Sequence, residues 1–343
     1  MSGVKSDIEI ARKAKMKPIG KVLAKINIPP RIQPEKFQDP ELTRTGARRA
    51  SVELVALRTL WFNTGTLCNL ACANCYIDSS PTNDSLVYLQ LNEVRTFLDE
   101  ISTAKHLTTE IGFTGGEPFM NPGLMDMLML CLRRGFEVLV LTNATKPMMK
   151  CCDQLSAIQA RFPGALRVRV SLDHFSQEQH QIERGPHSWE PAIKGLRWLC
   201  TNGFQVDIAG RMRWSETESE MRAGYKSLFR KYGLDIDANN HARLVLFPEM
   251  DSSRDVPEIT EDCWEKLGVS STQTMCATSR MIVKRRGAPI PTVVPCTLLA
   301  GDPKFELGNS LIEAKQRVTL NHPHCSRFCV LGGASCSTDQ RIQ

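Results

Sequence analysis

The sequence predicts an α/β fold built on a parallel sheet, and two observations carry that prediction. From residue 58 onward, short apolar stretches alternate with amphipathic stretches of helical periodicity, six times in succession. Three of the helical stretches run into a glycine, Gly135, Gly203 or Gly233, as helix C-termini often do. Repeated βα units form a parallel sheet, which is either doubly wound or a barrel with fewer than eight strands.

The predicted strands are short and rich in apolar and β-branched residues. They span Thr59–Asn63, Glu110–Thr114, Glu137–Thr142, Arg167–Leu172, Gln205–Ala209 and Arg243–Pro248. Between them, apolar residues recur at helical spacing in segments 91–103, 122–135, 148–162, 190–203 and 216–233. Both candidate architectures hold their reactive groups at the carboxyl ends of the strands, so candidate site residues are sought there.

Charge divides the chain into unequal parts. Residues 1–57 contain twelve Lys and Arg against six Asp and Glu, so this segment carries the whole net charge of +6. We interpret it as a basic N-terminal extension solvated on the surface, with a short helix broken near Pro18 and an irregular linker at 27–40. Contact with an acidic partner, a carrier protein or nucleic acid is the alternative. Residues 58–250 are predicted to form the α/β core.

The remaining composition limits the class of protein. With 343 residues, of which 42% are hydrophobic, the chain can bury a large core. No run of 18 or more apolar residues occurs and the N-terminal residues are polar, so we expect a cytoplasmic protein without a membrane partner. Thirteen cysteines without an export signal favour metal ligation, redox chemistry or buried thiols over a disulfide framework.

Three of these cysteines stand close together directly after the first predicted strand. Cys68, Cys72 and Cys75 fall within eight residues, and the next cysteine is Cys131, inside an apolar helical stretch. A structural zinc site would need a fourth ligand nearby. Iron-sulfur clusters are held by thiolates on short loops, and a cubane with three protein ligands leaves one iron open. The spacing therefore predicts a cluster that can bind a further ligand.

This motif resembles that of the radical S-adenosylmethionine (SAM) superfamily. The C-x3-C-x2-C spacing is followed at once by an aromatic residue, Tyr76, and the second strand ends in a glycine-rich stretch similar to the family's. That stretch is Gly115, Gly116, Glu117 and Pro118. Paired glycines let the backbone approach a ligand closely, and a carboxylate beside them accepts hydrogen bonds from an ammonium group. The resemblance implies that the stretch holds the SAM amino group and that residues 55–250 form a partial (β/α)6 TIM-like barrel.

Further positions at strand ends agree with the resemblance. Asn143 ends the third strand, and Ser171 and Asp173 stand where similar Ser-x-Asp stretches of the family contact the SAM ribose. The alternative for Ser171 and Asp173 is that they cap the following helix. Arg184 and Arg211 could pair with the SAM carboxylate or with an acidic substrate, and surface salt bridges are the alternative for each.

Five more cysteines lie in the last 70 residues. Cys276 and Cys296 flank a hairpin-like stretch, and Cys325, Cys329 and Cys336 follow near the end of the printed sequence. Their order is similar to that of SPASM or twitch extensions, which bind auxiliary iron-sulfur clusters, although the full SPASM pattern has seven cysteines. We therefore expect residues 251–343 to form a small Cys-rich domain with an auxiliary [4Fe-4S] cluster on Cys276, Cys296 and two or three of the last trio. A structural zinc ion and redox-active or unligated thiols are the alternatives.

The resemblance implies a function. A [4Fe-4S] cluster with an open iron would cleave SAM reductively to a 5'-deoxyadenosyl radical, which takes hydrogen from a substrate. An auxiliary cluster favours oxidation, cross-linking or carbon-sulfur bond formation, so the enzyme would be an oxidoreductase or a transferase. The expected partners are a reductant such as flavodoxin or ferredoxin and a small-molecule or peptide substrate, and nucleic acid is not expected. The alternative function is an iron-sulfur electron carrier or a zinc-stabilised binding protein without SAM chemistry.

Overall fold

The structure is a computed structural model that describes residues 33–249, 251 and 254–336. The helix predicted near Pro18 and most of the basic N-terminal extension therefore lie outside the described residues. Within the described part of the chain, no helix combines the length and the hydropathy needed to cross a membrane.

A predominantly parallel sheet forms the centre of the fold. The strands of the described residues are β1 (Ser51–Val52), β2 (Thr59–Asn63), β3 (Glu110–Thr114), β4 (Glu137–Thr142), β5 (Leu166–Ser171), β6 (Gln205–Met212), β7 (Leu244–Pro248), β8 (Ser279–Val283), β9 (Thr292–Val294) and β10 (Val318–Thr319). Eight of them form one sheet in the order β7-β6-β5-β4-β3-β2-β8-β9. Strands β2 to β7 pair in parallel in sequence order, as expected of a partial (β/α)6 barrel.

Helices follow the strands and cover the outside of this sheet. They are α1 (Leu91–Thr103), α2 (Leu124–Arg133), α3 (Lys146–Met149), α4 (Cys152–Arg161), α5 (Gln177–Arg184), α6 (Trp189–Thr201), α7 (Glu218–Tyr232) and α8 (Cys263–Leu267). The glycines expected after α2, α6 and α7 all have positive φ. The helix predicted at 148–162 is two helices, because the chain leaves α3 at Lys150 and starts α4 at Cys152.

The Cys-rich segment extends the barrel sheet. Strand β8 pairs in parallel with β2, with Thr59 opposite Ser279, and β9 pairs antiparallel with β8. The hairpin-like stretch between Cys276 and Cys296 is thus a true hairpin, whose first strand lies beside the first barrel strand. A π-helical turn, Cys325–Val330, packs against β7 through rings of Phe247 and Phe328 whose centroids are 5.3 Å apart.

The described part of the N-terminal extension is packed, in contrast to the expected solvated surface segment. Strand β1 pairs antiparallel with β10. The side chain of Arg49 is 1% exposed and donates to Glu258 at 2.6 Å and to the carbonyl oxygens of Asp39 and Leu42. A buried guanidinium group needs such a set of acceptors, and its ionic partner Glu258 lies 209 positions away in the sequence, where no local pattern points to it.

Candidate active site

The three clustered cysteines lie on the loop that leaves the carboxyl end of β2. A hydrogen bond joins the two ends of this loop, from the Cys68 N–H to the Ser80 carbonyl oxygen at 3.0 Å. Two sulfurs accept backbone hydrogen bonds: Cys68 Sγ from Leu70 N at 3.4 Å and Cys75 Sγ from Ser79 N at 3.3 Å. Burial raises the pKa of Cys68 to about 12 and raises that of Cys72, so both thiols stay neutral until a cationic group binds them.

A cavity of about 1060 Å³ opens at the carboxyl ends of the barrel strands. Most residues predicted for the site line it, namely Cys68, Cys72, Cys75, Tyr76, Gly115, Gly116, Asn143, Ser171, Asp173, Arg184 and Arg211. Residues separated by more than 140 positions therefore meet in one space, as the strand-end argument predicts.

The two glycines bring the end of β3 against the backbone of the cysteine loop. Gly115 has φ of +142°, and a Cβ there would lie 2.6 Å from the Gly65 carbonyl oxygen. A Cβ on Gly116 would overlap the Leu67 carbonyl group, directly before Cys68. Only glycine permits this approach, so the glycine-rich stretch also positions the cysteine loop.

Glu117 and Pro118 are buried but do not line the cavity. The Glu117 carboxylate accepts hydrogen bonds from Thr142 Oγ1 at 2.7 Å, Asn143 N at 2.8 Å and Phe119 N at 3.2 Å. Burial raises the pKa of Glu117 to about 7, and these hydrogen bonds oppose the rise. In this structure the carboxylate joins the ends of β3 and β4.

Asp173 and Arg184 form a buried bidentate pair on the cavity wall. Arg184 Nε lies 2.6 Å from Asp173 Oδ2, and Arg184 Nη2 lies 3.0 Å from Oδ1. Burial alone would raise the pKa of Asp173, but the Arg184 charge and hydrogen bonds lower it. Helix α5, which carries Arg184, is capped instead by Ser176, whose hydroxyl accepts the Gln179 N–H. Asp173 is therefore not the helix cap that was its alternative role.

A second buried pair holds Arg211. Its Nη1 lies 2.6 Å from Glu183 Oε1, and its Nη2 lies 3.2 Å from Glu249 Oε1. Glu183 also accepts from the N–H of Asn74, between two of the clustered cysteines, at 3.0 Å. Glu183 was not predicted as a site residue, although it directly precedes Arg184 on α5. It ties α5, β6 and the cysteine loop together.

The cavity wall also contains Cys336 and Arg169. Cys336 was predicted as a candidate cluster ligand, whereas Arg169 of β5 was not singled out. Both line the large cavity, and Arg169 Nη1 donates to the Cys336 carbonyl oxygen at 2.5 Å. Arg169 is 1% exposed, and its Nε has no hydrogen-bond partner among the described residues. Thr297 Oγ1 donates to Cys336 Sγ at 3.2 Å.

The other four C-terminal thiols line a separate, smaller cavity of about 350 Å³. They are Cys276, Cys296, Cys325 and Cys329, with His324 also on the wall. Burial raises the pKa of all four, and each of Cys296, Cys325 and Cys329 is raised further by neighbouring thiols of the set. Among the described residues, no three His, Cys, Asp or Glu side chains are arranged to hold a single metal ion.

Tyr76 lines the large cavity together with the clustered cysteines and Cys336. Burial raises its pKa, and the neighbouring Cys336 and Cys75 raise it further, while a hydrogen bond from Thr114 lowers it. The neighbouring Cys296 of the smaller cavity also raises the pKa of Tyr76. The aromatic residue after the third clustered cysteine is therefore one of the residues through which the barrel site meets the C-terminal segment.

Comparison with known proteins identifies the barrel. The Radical SAM superfamily matches residues 62–212, which run from β2 to the end of β6. These residues form a radical SAM domain. Such a domain uses SAM and a [4Fe-4S] cluster, and the C-terminal segment that follows it here is rich in cysteine.

Two curated relatives match part of the chain. The antilisterial bacteriocin subtilosin biosynthesis protein AlbA of Bacillus subtilis is 31% identical over 143 residues, which cover 41% of this chain and 30% of AlbA. The AdoMet-dependent heme synthase of Oleidesulfovibrio alaskensis is 27% identical over 154 residues, covering 45% of this chain and 38% of the synthase. The chain thus matches about a third of the length of each relative.

The fold is similar to that of SuiB from Streptococcus suis bound to its precursor peptide SuiA. The TM-score is 0.52 at 12% identity, and the match covers 75% of this chain and 63% of SuiB. At this identity the comparison supports the partial-barrel fold alone.

Proposed function

We propose that Cys68, Cys72 and Cys75 hold a [4Fe-4S] cluster with one iron left open for SAM. The observation that carries the proposal is that these thiols and the candidate SAM residues line one cavity at the carboxyl ends of the barrel strands. The hydrogen bonds donated to Cys68 and Cys75 suit thiolates. When bound, cluster and SAM supply one-electron chemistry, which yields methionine and a 5'-deoxyadenosyl radical that takes hydrogen from a substrate.

The chain's own residues then position SAM and exclude water. Gly115 and Gly116 open the backbone beside the cluster loop. Asp173 suits a ribose diol or, with Arg184, holds the cavity wall in place. Arg184, Ser171, Asn143 and Arg211 supply further polar groups, and the buried pairs of both arginines keep the wall rigid. Glu117 is proposed to reach the SAM amino group only if it leaves its contacts with Thr142 and Asn143.

We propose that the smaller cavity holds the auxiliary [4Fe-4S] cluster. Its four thiols line one buried space, and four thiolates are the usual ligand set of such a cluster. The proposed ligands are Cys276, Cys296, Cys325 and Cys329, so Cys336 is left on the wall of the SAM cavity. Metal analysis that finds zinc there would support the structural-zinc alternative.

We propose a peptide as the substrate, modified by oxidation, cross-linking or carbon-sulfur bond formation. Support comes from AlbA, which by its name acts in bacteriocin biosynthesis. The heme synthase match makes a small molecule the competing substrate class. A cytoplasmic setting and a flavodoxin or ferredoxin as reductant complete the proposal. The test is to add candidate peptides and metabolites to the protein reconstituted with its clusters. A compound that accelerates SAM cleavage is identified as the substrate.

The Cys72→Ala variant tests the cluster assignment. After reconstitution without oxygen, two [4Fe-4S] clusters correspond to about eight iron atoms per chain, and the variant is expected to keep about four. Adding SAM to the reduced wild type is expected to change the electron paramagnetic resonance spectrum of one cluster, and this change is lost in the variant. Unchanged iron content in Cys72→Ala, or a wild-type spectrum indifferent to SAM, would favour an electron carrier without SAM chemistry.

A further inference from the structure

A shallow groove lies on the protein surface beside the cysteine loop. Its wall consists of Asn69, Phe119, Met120, Lys146, Pro147 and Lys150. The groove lies between the segments that follow β3 and β4, at the same end of the barrel as the SAM cavity. We call it the lysine groove. None of the functions proposed above uses it.

The lysine groove is connected to the proposed cluster by a short path. Asn69 directly follows Cys68, and its side chain donates to Thr145 Oγ1 at 3.0 Å and accepts from Asn143 Nδ2 at 3.0 Å. Asn143 Nδ2 also lies 3.8 Å from Cys68 Sγ. The side chains of Asn69 and Asn143 therefore link the groove wall to a proposed cluster ligand.

The exposed positions of the cysteine loop are occupied by small residues. Asn69, Ala71 and Ala73 are exposed, whereas Cys68 is buried. Electron transfer weakens steeply with distance, and alanine side chains let a second protein approach the loop closely. The loop thus has an open outer side next to the lysine groove.

The groove carries positive charge that the described residues do not neutralise. Lys146 and Lys150 are exposed, and neither has an ion-pair partner among the described residues. Phe119, Met120 and Pro147 supply an apolar floor between them. A positive rim around an apolar centre favours a partner with an acidic contact surface, since complementary charge steers and orients association.

We propose that the lysine groove is the docking surface for an acidic one-electron carrier protein that reduces the cluster on Cys68, Cys72 and Cys75. This inference rests on the proposed function, because a partner is needed there only if the loop holds a cluster that consumes an electron. Lys146 and Lys150 guide the carrier, and the apolar floor and the small loop residues let its redox group come close to Cys68.

The test measures electron transfer from a flavodoxin hydroquinone of net negative charge. The reconstituted wild type is compared with the double variant Lys146→Glu, Lys150→Glu in stopped-flow reduction at low ionic strength. We expect the second-order rate constant to fall about tenfold or more in the double variant. The difference should shrink at about 0.5 M salt, where surface charges are screened.

Controls separate docking from the chemistry. Lys226→Glu changes another exposed lysine, on α7, and is expected to leave the rate unchanged. Iron content and the extent of reduction by excess dithionite should be equal in all variants. Equal flavodoxin rates in the double variant and wild type, or an equal slowdown in Lys226→Glu, overturn the docking proposal. If dithionite and SAM give no 5'-deoxyadenosine in the wild type, the proposed function fails instead.

Discussion

His180 on α5 is completely buried, and neither ring nitrogen has a hydrogen-bond partner among the described residues. Burial, and then the nearby Arg184 charge, lowers its pKa from 6.5 to about 4. The unfolded chain therefore binds a proton between pH 6.5 and 4 that the folded chain excludes. Stability is thus complete above the unfolded pKa and is lost as pH falls from 6.5 towards 4, by about 3 kcal/mol for this group.

The variant His180→Gln tests this single-residue effect. Its glutamine side chain does not titrate, so the free energy of unfolding should depend less on pH between about 6.5 and 4 than in the wild type. Urea unfolding at several pH values in that window gives both slopes. Equal slopes would show that His180 is not held neutral by the fold.

At this same scale, identity and spacing made some residues predictable and left others hidden. Cys68, Cys72, Cys75 and the two glycines stand in a local pattern whose chemistry can be read from neighbours in the chain. Arg169 and Glu183 have no such pattern. Arg169 acquires its place from the Cys336 carbonyl group, 167 positions away, and only the fold brings the two together.

At the scale of elements, helix α5 shows where hydrophobic periodicity fails. Its buried residues, His180 and Glu183, are polar, while Ile182 is 62% exposed. An apolar stripe facing the core is the usual signal of a helix, and here the helix instead turns a polar face towards the site. The Ser176 cap was the local signal that could have predicted its start.

The contact between the glycine-rich turn and the cysteine loop gives a prediction of its own. The Gly116→Ala methyl group would overlap the Leu67 carbonyl group, and backbone cannot move aside cheaply. We expect a loss of about 1–3 kcal/mol of stability and weaker SAM binding. Gly301→Ala is the matched control, because its Cβ would meet nothing within 4 Å. Calorimetric titration of SAM and urea unfolding measure both effects, and equal behaviour of the two variants would contradict the close approach.

The π-helical turn places Cys325 and Cys329 on one cavity, whereas Cys336 lies on the other. Cys329→Ala should therefore lose the auxiliary cluster, and with it about half of the reconstituted iron, while Cys336→Ala should keep both clusters. Iron and sulfide analysis after anaerobic reconstitution distinguishes them. Iron loss in Cys336→Ala with none in Cys329→Ala would reverse the assignment.

At the scale of the whole molecule, the sequence predicted the six parallel strands but not how the C-terminal segment attaches to them. Strands β2, β3 and β4 have the predicted bounds, since apolar runs between turn residues define them. The pairing of β8 with β2 joins residues 220 positions apart, and no local pattern encodes such a register. This pairing attaches the C-terminal segment to the first strand of the barrel.

The proposed function requires SAM cleavage at the barrel site, and its direct measurement is the formation of 5'-deoxyadenosine. The reconstituted wild type, reduced with dithionite and given SAM without oxygen, should produce it in amounts that chromatography detects, and Cys72→Ala should produce none. Equal production by both proteins, or none from a wild type with its full iron content, would contradict the account.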